Sequence, residues 1–141
     1  PKRAASTALA NQLDEAQRLA MANPALAPYG LAARQTMAYL NWKPEPNTVI
    51  ATAENVGQTY AMIVTGNADS GFVALSQVLE QQVPRHTFSI VPEDAHDPIK
   101  QDVVLLTTGA QASRAADFLA FFMRDHAQIQ SPVLGAGSID R

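Results

Sequence analysis

Cysteine is absent from all 141 residues, which excludes a disulfide framework and a thiolate zinc site. Neither sign of charge dominates: 10 Lys and Arg stand against 13 Asp and Glu, a net of -3. A nucleic-acid groove needs a basic face to meet phosphates, and this balance argues against one. No apolar run approaches the ~18 residues that a membrane-spanning helix requires. Ser70 and Ser76 lack the flanking glycines of a nucleophile elbow, and no ordered acid and histidine follow them, so a hydrolase is not expected. Gly135-Ala136-Gly137 is too short, and lies outside any strand-to-helix context, to be a dinucleotide loop. What is present is an apolar fraction of 47%, enough for a domain of this length to own a core. Length alone predicts one compact unit.

Short apolar runs alternate with segments of helical period. Pro1 to Asn11 is Ala-rich and reads as a helix, with Leu9, Leu13 and Ala16 along one face. Arg18 to Ala22, closed by Asn23-Pro24, reads as a buried strand. Pro28 then opens a helix to Leu40 whose expected stripe is Leu31, Met37 and Leu40. The plan repeats. Thr48 to Thr52 is a β-branched strand, Glu54-Asn55 offers a cap for a helix from Val56 to Thr65, and Gly66 ends it. Gly71 to Leu75 and Phe88 to Val91 read as strands, as does Val103 to Thr107. Ser113 is the expected cap of a last helix carrying Ala116, Leu119, Ala120 and Met123, widened by Phe118, Phe121 and Phe122. The alternation predicts an α/β fold with a mixed, at least partly parallel sheet.

In such sheets ligands sit beyond the carboxyl ends of strands, where helices begin. That directs attention to Asn23–Tyr29 and Ala53–Val56. Neither carries a basic residue. A helix start nevertheless offers unpaired amides and partial positive charge, so two converging starts suit an anion. Ordinary helix starts in any α/β domain would look the same at this level.

Particular residues go further. Ala22-Asn23-Pro24 with Ala27-Pro28-Tyr29-Gly30 and Ala32-Ala33, then Glu54-Asn55-Val56 with Gln58, then Thr65 to Gln77, stand in order along the chain. Pro98-Ile99-Lys100-Gln101-Asp102 with the following Val-Val-Leu-Leu, and Ala115 to Met123, complete the series. Together they resemble the periplasmic molybdate-binding proteins of ABC importers, over most of the chain from Arg18 to Met123. The resemblance implies a three-layer αβα lobe of a periplasmic-binding-protein-like fold. It implies a binding protein without catalytic residues or cofactor, capturing molybdate or tungstate and delivering it to ABC permease subunits in the periplasm. The matching ligand positions are Tyr29 and Val56, with Asn55 and Gly30 beside them in the same motifs. Residues 1–141 would then be the second lobe plus a return segment, completed by an N-terminal lobe or by self-association. The tail Leu134-Gly135-Ala136-Gly137-Ser138 departs from the family pattern.

Other readings stay open on the residues alone. Glu93-Asp94-Ala95-His96-Asp97 is the densest group of hard ligands and would suit a divalent cation in a metal-dependent enzyme, or simply a solvated loop. A ligand-sensing regulatory domain of the same fold is a further alternative. His86 and His126 are isolated and read as surface histidines. Trp42 is expected to plug the core beside Pro44.

Overall fold

A computed structural model describes residues 2–100, 104–106, 112–126 and 134–138. The chain divides into two compact units, Pro1–Ile99 with Pro132–Arg141, and Lys100–Ser131.

The first unit is built in the order α1 (Lys2–Asp14), β1 (Arg18–Ala22), α2 (Pro28–Tyr39), β2 (Val49–Ala53), α3 (Val56–Val64), β3 (Ser70–Ala74), α4 (Leu75–Glu80), β4 (Phe88–Ile90) and β5 (Leu134–Ser138). The strands form one sheet in the order β2-β1-β3-β5-β4. β1 runs parallel to both β2 and β3, whereas β5 is antiparallel to β3 and β4, so the sheet is mixed as expected.

Strand alternation sorts the core onto two faces. Leu19, Met21 and Phe72 point to one side, where they meet Leu9 and Leu13 of α1 and Ala32 and Ala33 of α2. Ala20 and Val73 point to the other, against Ile63 of α3 and Val78 of α4. Helices therefore cover both faces, the three-layer αβα arrangement. Leu9, Leu13, Leu19 and Phe72 are at most 1% exposed, and each contributes about 1.5–3 kcal/mol by leaving water. Asp69 fastens the amino ends of the strands: its carboxylate accepts from the Gln17 and Arg18 amides at 3.1 and 2.9 Å.

Several expectations are corrected. The buried face of α2 is Gly30, Ala32, Ala33 and Thr36, while Leu31 is 37% exposed and Met37 and Leu40 sit only at the core margin. Small residues win that face because α2 lies almost on β1: a Cβ on Gly30 would fall 2.2 Å from the Ala22 carbonyl oxygen. β3 ends at Ala74, and Leu75 begins α4, a helix that strand-like apolar patterning concealed. Leu134-Gly135-Ala136-Gly137-Ser138 is an inner strand, paired on both sides. Trp42 does pack against the first core cluster, as expected, but only half-buried, with its indole N–H donating to Asp14 Oδ1 at 2.9 Å.

In the second unit α5 spans Ala112–His126, so Ser113 lies inside the helix rather than capping it. Its expected apolar stripe is largely on the surface: Phe118, Phe121 and Met123 are 63%, 49% and 57% exposed. Residues 104–106 carry no regular structure, contrary to the expected strand, whose ends Val103 and Thr107 lie outside the described residues. The side chains of Phe122 and His126 also lie outside them. No described helix is long and apolar enough to cross a membrane.

Candidate ligand-binding site

The order β2-β1-β3 means that the chain leaves β1 toward one neighbour and returns on the other side. α2, which follows β1, packs on one face, and α3, which follows β2, packs on the other. Between two such diverging connections the carboxyl edge of an α/β sheet opens a crevice. The starts of α2 and α3 stand at that edge, directly after the paired strands β1 and β2.

Asn23 shapes the first loop. Its side-chain oxygen accepts from the Ala25 amide at 2.9 Å, and its carbonyl accepts from Leu26 and Ala27 at 3.0 and 2.9 Å. Its own amide donates to the Ala53 carbonyl at 2.7 Å, tying the β1 loop to the end of β2. α2 then starts at Pro28, which has no N–H, behind Ala27, which has no capping side chain. The amides of Gly30 and Leu31 both turn back to the Ala27 carbonyl at 3.0 and 3.1 Å. Tyr29 is left with the one amide in this turn that meets no partner among the described residues. Its ring is half-buried against the first core cluster, and burial raises its hydroxyl above the ordinary tyrosine value of 10.0. The phenol is therefore a neutral donor at physiological pH.

The second loop is locked from within. Asn55 is the N-cap of α3, as the sequence suggests, and its Oδ1 accepts from the Gln58 amide at 2.9 Å. Gln58 Oε1 accepts in turn from the Glu54 amide at 2.9 Å. This closes a reciprocal variant of the capping box. The cap uses the third amide of α3 and leaves those of Val56 and Gly57 without partners among the described residues. A third element reaches the same edge. Gln77 of α4 accepts from the Ala74 amide through Oε1 at 3.0 Å, and its Nε2 donates to the Val56 carbonyl at 3.5 Å.

The four sequence-derived site residues thus have distinct positions. Tyr29 and Val56 present open amides, Asn55 is spent on capping, and Gly30 permits the close approach of α2 to β1. Sequence reading missed Asn23 and Gln77 as organisers, although both lie within the quoted motifs. Their roles depend on contacts between segments, as in the 21-residue gap from Val56 to Gln77.

Two other places offer less to an anion. A cavity of about 410 Å³ lies at the opposite end of the strands, lined by Gln12, Glu15, Gln17, Asp69 and Ser70. Its carboxylates give it the wrong sign. The Glu93–Asp97 loop is clamped to α2: Gln35 Nε2 donates to Asp97 Oδ2 at 2.6 Å, and Gln35 Oε1 accepts from the Asp97 amide at 3.0 Å. Among the described residues no group of three or more His, Asp or Glu is placed to hold a metal ion.

Comparison with known proteins supplies the family. The model of the bacterial extracellular solute-binding proteins matches residues 1–129. The molybdate-binding protein ModA of Rhodobacter capsulatus is 40% identical over 105 residues, covering 74% of this chain and 41% of that protein. The molybdate-binding protein ModA of Azotobacter vinelandii is 39% identical over 94 residues, covering 66% and 37%. The chain thus spans about two fifths of the length of these curated relatives. No solved structure matches it. With a match across nearly its whole length, the chain belongs to the family of bacterial extracellular solute-binding proteins.

Proposed function

We propose that this chain supplies one wall of a cleft that captures a tetrahedral oxyanion, molybdate or tungstate, for an ABC importer in the periplasm. The observation that carries the reading is the pair of helix starts with open amides, at Tyr29 and at Val56–Gly57, joined by the bond from the Asn23 amide to Ala53. The names of the two relatives support the choice of anion. Each helix terminus contributes about 0.3–1 kcal/mol toward an anion, and up to ~2 when partly buried. No Lys or Arg is needed between Asn23 and Gly30 or between Thr52 and Gln58.

Neutral donors also discriminate. Molybdate at neutral pH is fully deprotonated and only accepts hydrogen bonds. Amides and a phenolic hydroxyl satisfy such an ion, whereas a protonated phosphate would bury its own O–H against donors. An unpaired buried polar group costs about 1–3 kcal/mol. Tungstate has the same charge and shape and binds alike on this reading. The action is capture and release to the permease, with no bond made or broken and no cofactor.

Val56→Pro in the complete gene product tests the site. Proline is tolerated at the first position of a helix, so the substitution removes the amide and keeps α3. Loss of one hydrogen bond to a charged ligand is worth about 1.5–3 kcal/mol, so calorimetry is expected to find molybdate binding weakened by roughly ten- to hundredfold. Unchanged affinity in a folded variant would remove Val56 from the site. A thermal-shift series with molybdate, tungstate, sulfate and phosphate tests the anion class, and stabilisation by phosphate alone would overturn it.

A further inference from the structure

The bonds within the start of α3 fix its internal shape, because Asn55 holds Gln58 and Gln58 holds Glu54. They do not fix where that turn stands relative to the neighbouring strands. On the β1 side the task falls to the Asn23 amide on Ala53. On the β3 side Ile63 packs the body of α3, and at its first residue the polar contact among the described residues comes from half-buried Gln77, whose two polar ends are both engaged: Oε1 with the Ala74 amide and Nε2 with the Val56 carbonyl. Val56 carries that carbonyl and the open amide on either side of one Cα, so holding the first restricts the direction of the second.

Resting on the oxyanion reading above, we propose that Gln77 is a positioning residue that aims the Val56 and Gly57 amides into the cleft. The side chain does not touch ligand in this role. It acts as a strut between the carboxyl end of β3 and the first residue of α3. The two glutamines that close the quoted motifs, Gln58 and Gln77, then have complementary tasks: one sets the form of the donor turn, the other its placement.

The test uses the complete gene product, labelled with nitrogen-15, and the variants Gln77→Met and Gln77→Glu. Gln81→Met, on an exposed residue at the end of α4, is the control. Glutamate keeps an acceptor for the Ala74 amide but loses the donor to Val56, whereas methionine loses both. In ligand-free protein, both Gln77 variants are expected to move the Val56 and Gly57 amide resonances. Protection of the Ala74 amide should survive in Gln77→Glu and fall in Gln77→Met, and the control should change none of these. Molybdate affinity of the folded Gln77→Met protein should fall roughly three- to tenfold, the range for one neutral hydrogen bond. Val56 and Gly57 resonances that stay in place in Gln77→Glu would overturn the assignment. So would an affinity loss that merely tracks the unfolded fraction. If the wild-type protein fails to bind molybdate, the oxyanion reading falls, while the ligand-free amide measurements still decide the role of Gln77.

Discussion

At Gly30 the missing side chain is a packing requirement. A Cβ there would lie 2.2 Å from the Ala22 oxygen and 2.7 Å from two backbone carbons, none of which belongs to a flexible group. Gly71 is also tight, but one of its two nearest atoms is the mobile tip of Ile63 at 2.8 Å. Gly30→Ala is therefore expected to cost at least the 1–3 kcal/mol or so typical of overpacking, and more than Gly71→Ala; urea denaturation of both variants measures the order. Tyr29 adds a pH dependence. Burial raises its pKa above 10.0, so the native state holds the phenolic proton more tightly than the unfolded chain does. The stability linked to this group is fully present below the unfolded value and is lost as pH rises through the folded one. Melting curves should show no Tyr29-linked loss between about pH 7 and 9. A decline above pH 10.0 should be present in wild type and smaller in Tyr29→Phe. Much of this scale is hidden in sequence. Gly30 stands in a quoted motif, yet its reason for being glycine is the Ala22 backbone, which only the packing of α2 on β1 brings near.

Among the elements, α2 and α3 start in different ways. Asn55 gives α3 a side-chain cap, while Ala27 gives α2 none. The absent cap has a function on the oxyanion reading, because it leaves the Tyr29 amide open. Ala27→Ser supplies a hydroxyl at an N-cap position whose backbone, φ -129° and ψ 129°, already suits one. It is expected to stabilise the protein by about 0.5–2 kcal/mol in thermal unfolding and to weaken molybdate binding, since the hydroxyl competes for the first-turn amides. A gain in both quantities would show that this turn does not face ligand. Element type was largely legible in advance: β1, α2, β2, α3 and β4 stand within a residue or two of their expected places because apolar period and Pro, Asn and Gly punctuation agree there. α4 was not legible. Gly71 to Leu75 has the composition of a strand, and the helix begins where Gln77 takes the Ala74 amide.

For the whole molecule, the decisive feature is that β5 arrives from the far end of the chain and enters between β3 and β4. It pairs with five residues of β3 and three of β4, so β4 reaches the rest of the sheet through it. Deleting residues 134–141 is therefore expected to release β4 and the packing of Phe88, leaving two exposed edges. Such a chain should unfold less cooperatively in calorimetry and aggregate through the exposed β3 edge. An unchanged transition would mean that the parallel half of the sheet is stable by itself. The return strand could not be read from Leu134-Gly135-Ala136-Gly137-Ser138, which has one bulky residue and no period. A strand buried in pairing needs neighbours more than it needs a pattern.

The sequence by itself determined the α/β class, the two loops at the carboxyl ends of β1 and β2, and the family, because these rest on local period, turn chemistry and ordered motifs. Tertiary structure decided which amides stay open at those loops. An N–H at a helix start is free or spent according to what stands beside it: the Ala27 carbonyl takes two, Asn55 takes one on its side chain and one on its carbonyl, and Asn23 and Gln77 tie the turns to the sheet. Those partners come together only when β1, β2 and β3 lie side by side.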